Sequence, residues 1–295
     1  MEYPKIQVFI MTYNRPETLV AAIDSVLNQT YPNLELMVSD NSTNDETFDK
    51  LRSQDSWGKY NYIRRNPPMS GVEHLKTMFD EATSEYFIIF HDDDEMLPDM
   101  VESLYDVIRR DPAHAAAGAN ARIIKYGKDS GPAFEKKDVV LADGEALIQR
   151  YNTNSIAPFP SYMYHRPVVG NIRPDFENKG GKYCDVSFLF DVANQGPITY
   201  VGKPLMKYYI HEGQDSGIFD FLRHIQLTNY LKRRGTNLNS LLSLRLYHIY
   251  SYAIDGYNDG KMRFHPLVFW LLLKYKTNNY HIKYLVRYIQ NKFHA

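Results

Sequence analysis

His91-Asp92-Asp93-Asp94-Glu95 sets one imidazole and four carboxylates side by side. Clustered carboxylates repel one another unless a cation lies between them. Hard oxygen ligands of this kind suit Mg²⁺ or Mn²⁺, ions that bridge protein carboxylates to substrate phosphates. The run follows directly on Tyr86-Phe87-Ile88-Ile89-Phe90, an apolar stretch that reads as a buried strand. A rigid strand with acids at its tip suggests a metal–diphosphate site. The plain alternative is a solvated acidic turn capping the helix that starts near Pro98.

Two further polar loops follow apolar runs. Thr12-Tyr13-Asn14-Arg15 offers hydrogen bonds, a stacking face and a cation for phosphate, though Asn14 also suits the N-cap of a helix starting at Pro16. In Ser39-Asp40-Asn41-Ser42-Thr43-Asn44-Asp45, the Asp40 carboxylate can accept a base N–H or ribose hydroxyls, and the rest equally suits a capping turn.

The elements that must position these loops are legible in the pattern. Ile6–Met11, Leu34–Ser39, Tyr60–Ile63 and Tyr86–Phe90 read as strands. Helices are expected from Pro16, over Val72–Ala82 and after Pro98, with Leu19, Ile23 and Val26 recurring at helical spacing. Such alternation predicts an α/β fold, a mainly parallel sheet covered on both faces. Ligands in such folds bind at the carboxyl ends of the strands, where all three polar loops emerge. The middle is less regular, with loops expected at Gly127–Pro132 and Asn152–Pro160. From Phe219 the pattern turns mostly helical.

The bulk numbers narrow the class. The chain has 295 residues, 44% hydrophobic and 23% charged, as ordinary globular proteins do. Net charge is −1, so no nucleic-acid partner is expected. A single cysteine, Cys184, excludes an internal disulfide framework and a cysteine-based zinc site, and it is expected to pack in the core. No charged-then-apolar leader opens the chain, and its best apolar run, Pro266–Leu273, is far too short to span a bilayer. A cytoplasmic location is expected.

Four blocks together resemble a family 2 glycosyltransferase of the GT-A (Rossmann-like) fold: Thr12-Tyr13-Asn14-Arg15-Pro16, Ser25-Val26-Leu27-Asn28-Gln29-Thr30-Tyr31-Pro32, Asp40-Asn41-Ser42-Thr43, and Glu85-Tyr86 through Asp94 with Leu97-Pro98. The resemblance is strong over about the first 110 residues and weaker to about residue 216. It implies a nucleotide-sugar donor, UDP-linked because an acid at the second strand tip suits a pyrimidine N–H, and Mn²⁺ or Mg²⁺ as cofactor. It casts Asp40 as reader of the base, with Thr12 beside the nucleoside. Asp92 and Asp94 become the Asp-x-Asp pair, with Asp94 on the metal, Asp92 on ribose or metal, and Asp93 and His91 in support. The family's base belongs to a Glu-Asp pair ahead of a helix; here Cys184 replaces the first acid and Asp185 remains as the expected catalytic base, ahead of Asp175 and Asp191. His211 matches a histidine near the metal and diphosphate. Two departures stand out. Tyr209 stands where an arginine is common, leaving Lys207 as a substitute. The arginine usual before the metal strand is missing from Asn66–Lys76, with His74 and Lys76 as replacements.

The expected organisation is a catalytic domain over 1–217 (nucleotide-binding half 1–110, acceptor-binding half 111–217) and a C-terminal helical region over 218–295. No acidic residue follows Asp259, while seven lysines and arginines do. Phe264–Phe293 mixes these with aromatic and aliphatic residues, the pattern of a helix on an anionic membrane surface, or of helices packing on the catalytic domain or a second subunit. The expected activity is inverting, metal-dependent sugar transfer to a saccharide or lipid-linked saccharide in surface polysaccharide assembly. The rival is a non-catalytic carbohydrate- or membrane-binding scaffold on a degenerate enzyme fold.

Overall fold

In the computed structural model, which describes residues 3–153, 155–211 and 220–245, the first half alternates as the hydrophobic pattern requires. It runs β1 (Ile6–Thr12), α1 (Pro16–Leu27), β2 (Leu34–Asp40), α2 (Glu46–Arg52), β3 (Asn61–Arg64), α3 (Gly71–Glu81) and β4 (Tyr86–His91). A short β5 (Glu95–Met96) and α4 (Met100–Ile108) follow. β1 lies between β2 and β4, parallel to both, and β3 adds parallel to β2. The register sets Thr12 beside Asp40 and Met11 beside His91, so the three polar loops leave one sheet edge.

Strand residues alternate between two cores. Ile6, Val8 and Ile10 cluster with Leu19 and Ile23 of α1 and Leu104 of α4, whereas Phe9 clusters with Met78 and Phe79 of α3. Helices on both faces explain why these strands are apolar throughout rather than alternating. Pro16 opens α1, where its missing N–H costs nothing. α3 opens with a capping box: Ser70 Oγ accepts the Glu73 N–H, and the Glu73 carboxylate accepts the Ser70 N–H, each at 3.2 Å.

The second half holds β6 (Ala116–Lys125), β7 (Lys128–Pro132), β8 (Val139–Leu141), α5 (Gly144–Tyr151), β9 (Tyr162–His165), α6 (Arg166–Val169), α7 (Cys184–Ala193), β10 (Ile198–Ile210) and α8 (Phe221–Arg233). Residues 238–245 are also helical. The sheet order is β3-β2-β1-β4-β9-β6-β10-β5, with β7 on β6 and β8 on β10. It is parallel from β3 to β4. Beyond that it is mixed, because β9 inserts antiparallel between β4 and β6 while β10 runs parallel to β6. Gly127–Pro132, expected as a loop, is instead a tight turn and β7. Tyr126 (φ 49°) and Gly127 (φ 76°) make the turn, and Lys128–Pro132 folds back on β6. The glycine there marks a hairpin.

Leu227, Leu231, Leu241 and Leu244 are buried in one cluster with Phe188 and Phe190 of α7, so the described part of the C-terminal region shares a core with the rest of the fold. The basic aromatic stretch Phe264–Phe293 lies outside the described residues. Among the described residues no helix is long and apolar enough to cross a membrane.

Candidate active site

β4 ends at His91, and Asp92-Asp93 turn the chain before β5. Strand alternation stops in that turn, and ligand atoms of His91, Asp93 and Asp94 come within 4.8 Å of one another. Asp92 points elsewhere: its carboxylate accepts the Thr12 hydroxyl at 2.6 Å and Arg15 Nη1 at 3.3 Å. The same Arg15 nitrogen lies 2.7 Å from Asp93 Oδ2, and His211 Nε2 lies 3.0 Å from that oxygen. The ligand atoms that come together here are those of His91, Asp93 and Asp94, with His211 touching Asp93, while Asp92, expected to pair with Asp94, takes Thr12 and Arg15.

Asp94 is 1% exposed. Its Oδ1 accepts the Tyr209 N–H at 3.0 Å, while its buried Oδ2 has no hydrogen-bond partner among the described residues. Burial, reinforced by the Asp93 charge, holds the Asp94 carboxyl well above the ordinary range. An unsatisfied buried carboxylate oxygen is costly, and a divalent cation supplies both the missing partner and the missing charge. Burial pushes His91 down, leaving the neutral imidazole that ligation requires. Two carboxylates and one neutral imidazole fit Mn²⁺ or Mg²⁺.

Beside the acids opens a cavity of ≈ 500 Å³, walled by Thr12, Tyr13, Asn41, Met69, His74 and Asp92 among others. Tyr13, 52% exposed, presents its ring at this wall. Asn41 accepts the Met69 N–H and donates to the Met69 carbonyl, both at 2.8 Å, tying the second loop to the chain ahead of α3. Asn14, in the left-handed region at φ 54°, donates its N–H to Ser42 Oγ and accepts the Thr43 N–H. It joins the first two loops rather than capping α1, whose N-cap position is Arg15. Asp40 lies behind this wall. Its fully buried carboxylate takes the Ser42 N–H at 2.8 Å, the Tyr62 hydroxyl at 2.6 Å and Arg64 at 2.9 Å.

The missing positive charges are not restored here. His74 sits in the cavity wall, its Nε2 2.8 Å from Ser39 Oγ, but burial and the neighbouring Arg65 charge push it down to about 4, so it is neutral at pH 7. Lys76 lines a different cavity. Lys207 and the Tyr209 hydroxyl both bind Glu95, at 2.7 and 2.5 Å. Among the described residues, Arg15 is the arginine or lysine whose side chain contacts Asp92 and Asp93.

Asp185 sits in the first turn of α7 and accepts the Val186 N–H at 2.8 Å. Burial pushes its carboxyl up to about 6 against those backbone bonds. Burial and then the charges of Asp94, Asp93 and Asp185 all push the Tyr208 hydroxyl up. Asp191 is 4% exposed and tied to Lys179 and Tyr230, and Asp175 takes the Asn178 N–H, so both fallback acids serve local structure. Cys184 is buried and its thiol is pushed up to about 12 by burial, which makes it inert. Asn41, Met69 and Tyr208 were not foreseen; the Asn41 side chain sits one residue past a strand tip, a signal that Asp40 overshadowed.

Fold and site together define a sugar-transfer enzyme, and the comparisons agree. The glycosyl transferase family 2 profile matches residues 7–171, and the chain belongs to that family. It is a glycosyltransferase. An uncharacterized glycosyltransferase of Haemophilus influenzae is 23% identical over 83% of this chain and 81% of its own length. A GalNAc(5)-diNAcBac-PP-undecaprenol beta-1,3-glucosyltransferase of Campylobacter jejuni is 28% identical over 53% of this chain, which spans about half (52%) of that relative. The fold resembles S. aureus TarS 1-349 in complex with UDP-GlcNAc (TM-score 0.64, 16% identity, 86% of this chain and 75% of that one). It also resembles the Pyrobaculum calidifontis mannosyltransferase PcManGT in complex with GDP-Man and Mn²⁺ (TM-score 0.56, 14% identity, 99% and 88%).

Proposed function

We propose that the protein transfers a sugar, with inversion, from a metal-bound UDP-sugar to a lipid-linked saccharide in surface polysaccharide assembly. The observation that carries this reading is the buried Asp94 Oδ2, which has no hydrogen-bond partner among the described residues and lies in one cluster with ligand atoms of His91 and Asp93. Thr12, Tyr13, Asn41 and His74 form the nucleoside wall, and Asp40 holds the loop that carries Asn41. His91, Asp93 and Asp94 hold the cation, with His211 beside them. A bound Mn²⁺ or Mg²⁺ neutralises charge gathering on the departing nucleoside diphosphate. Arg15 exchanges its contact with Asp93 for a phosphate oxygen. Asp185 takes the acceptor hydroxyl's proton as that oxygen attacks the anomeric carbon from the face opposite the leaving group.

The undecaprenol-linked acceptor named for the Campylobacter relative supports the lipid-linked class, and UDP-GlcNAc in the TarS complex supports the donor class. The basic residues after Asp259 suit a peripheral seat on an anionic inner leaflet. The test is a screen of UDP-, GDP- and dTDP-sugars that reads nucleoside diphosphate release with and without Mn²⁺. Release of UDP, dependent on Mn²⁺ and visible even as slow donor hydrolysis, is expected. Release of GDP instead, or turnover indifferent to the metal, would sink the donor or the metal half of the proposal.

A further inference from the structure

The first turn of α7, which carries Asp185, has no side-chain cap: its N-cap residue is Tyr183. It is gripped from outside by α8. The chain enters α7 through Gly180 (φ 113°) and Gly181 (φ 59°), both in the left-handed region that favours glycine. α8 lies so close that a Cβ on Gly180 would sit 2.8 Å from Leu227 Cβ. Around this turn α8 makes a ring of contacts. Arg223 lies over the Phe176 ring at 5.2 Å, Gln226 donates to the Glu177 carbonyl, and the Tyr183 hydroxyl takes the Asp220 N–H at 3.0 Å.

One buried carboxylate joins all three segments. Asp191, two turns along α7 from Asp185, accepts Lys179 Nζ from the turn at 2.8 Å and the Tyr230 hydroxyl from α8 at 2.6 Å. Arg234 lies 3.6 Å away, and Lys179 Nζ also stands 5.1 Å from the centre of the Tyr230 ring. A buried acid that takes several charged and polar partners fixes geometry more than it adds stability.

We infer that α8 is a positioning element for the catalytic base, with Tyr230, Lys179 and Asp191 as positioning residues that hold the turn before α7 to the helix and so fix the place of Asp185. This rests on the reading of Asp185 as base. Among the described residues, the titratable groups that feel the Asp185 charge are Tyr162 and Tyr164 of β9, Tyr208 of β10, and Tyr183 and Cys184 at the start of its own helix. None of them is Asp191, Lys179 or Tyr230, so a change in that cluster is expected to reach Asp185 through the position of α7.

Tyr230→Phe removes one hydroxyl and keeps the ring, and Lys179→Gln is the second variant should the first fail to fold. The readout is the Asp185 carboxyl titration by ¹³C NMR on aspartate-labelled protein, its resonance identified by its loss in Asp185→Asn. The wild-type midpoint is expected near about 6. In the variant it falls by about one pH unit, because a loosened turn lets water reach the carboxylate. An unmoved midpoint, even with a lowered melting temperature, overturns the positioning role and leaves the cluster merely structural. The base reading is tested separately: full nucleoside diphosphate release by Asp185→Asn, from a mixture of UDP-Glc, UDP-GlcNAc and GDP-Man, would refute it whatever the titration shows.

Discussion

Asp92, Asp94 and Asp185 are three carboxyls that burial pushes above the ordinary range. Each binds its proton more tightly folded than unfolded, so its stabilising contribution is present at low pH and is lost as pH rises through the folded value. Without metal, these groups make the protein less stable at pH 8 than at pH 5. Asp94→Asn removes the buried charge but keeps the shape. Its melting temperature at pH 8 in EDTA is expected to rise, while the increase that Mn²⁺ gives the wild type disappears. Thermal melts in both conditions check this; an equal Mn²⁺ effect in the variant would remove Asp94 from the metal site. At Asp185 the expected loss on Asp185→Asn is about 10²–10⁴-fold in turnover. Because a base works ionised, wild-type turnover is expected to fall below about pH 6 as Asp185 takes up its proton, while UDP affinity at pH 7 is unchanged by the substitution. A pH–rate profile with no acidic limb near that value would contradict the assignment.

The site is assembled by elements whose ends were legible in the sequence. Ile6–Met11, Leu34–Ser39 and Tyr86–Phe90 have apolar runs too short for helices and bounded by polar loops, and the structure places all three as neighbours. What the pattern did not disclose is local backbone turning. Asp92-Asp93 leave strand geometry, so alternation does not fix where their side chains go, and Asp93 lies with His91 and Asp94 while Asp92 takes Thr12. Asp40 reads as a ligand by position, but partners from β3, sixty-odd residues into the chain, fill its oxygens, and no local signal announces that. α3 brings Gly71 and His74 to the wall of the cavity beside the acids, the proposed nucleoside site. Ser70→Ala opens the capping box and is expected to cost about 1 kcal/mol of stability. Chemical denaturation measures this, and an unchanged midpoint would mean the cap contributes nothing.

For the molecule as a whole, the sheet's second half was the least legible part. Inserting β9 antiparallel between β4 and β6 pairs it with one strand more than seventy residues earlier and another more than forty, and pairing at such distances leaves no trace in local periodicity. Likewise, the expected boundary near residue 217 follows a change of pattern, yet the leucines beyond it complete the core beneath α7. Leu231→Ala is therefore expected to destabilise the whole catalytic fold by about 2–5 kcal/mol, seen as one earlier cooperative transition. A separate early transition with the main one unmoved would instead make the C-terminal helices an independent unit. The central claim is that this fold holds a divalent cation on a nucleoside diphosphate through His91, Asp93 and Asp94. Calorimetric titration of UDP into the protein tests it most directly, once with Mn²⁺ and once with EDTA. UDP is expected to bind with Mn²⁺ and to lose at least about tenfold in affinity without it; equally tight binding in EDTA, or none in either, would contradict the claim.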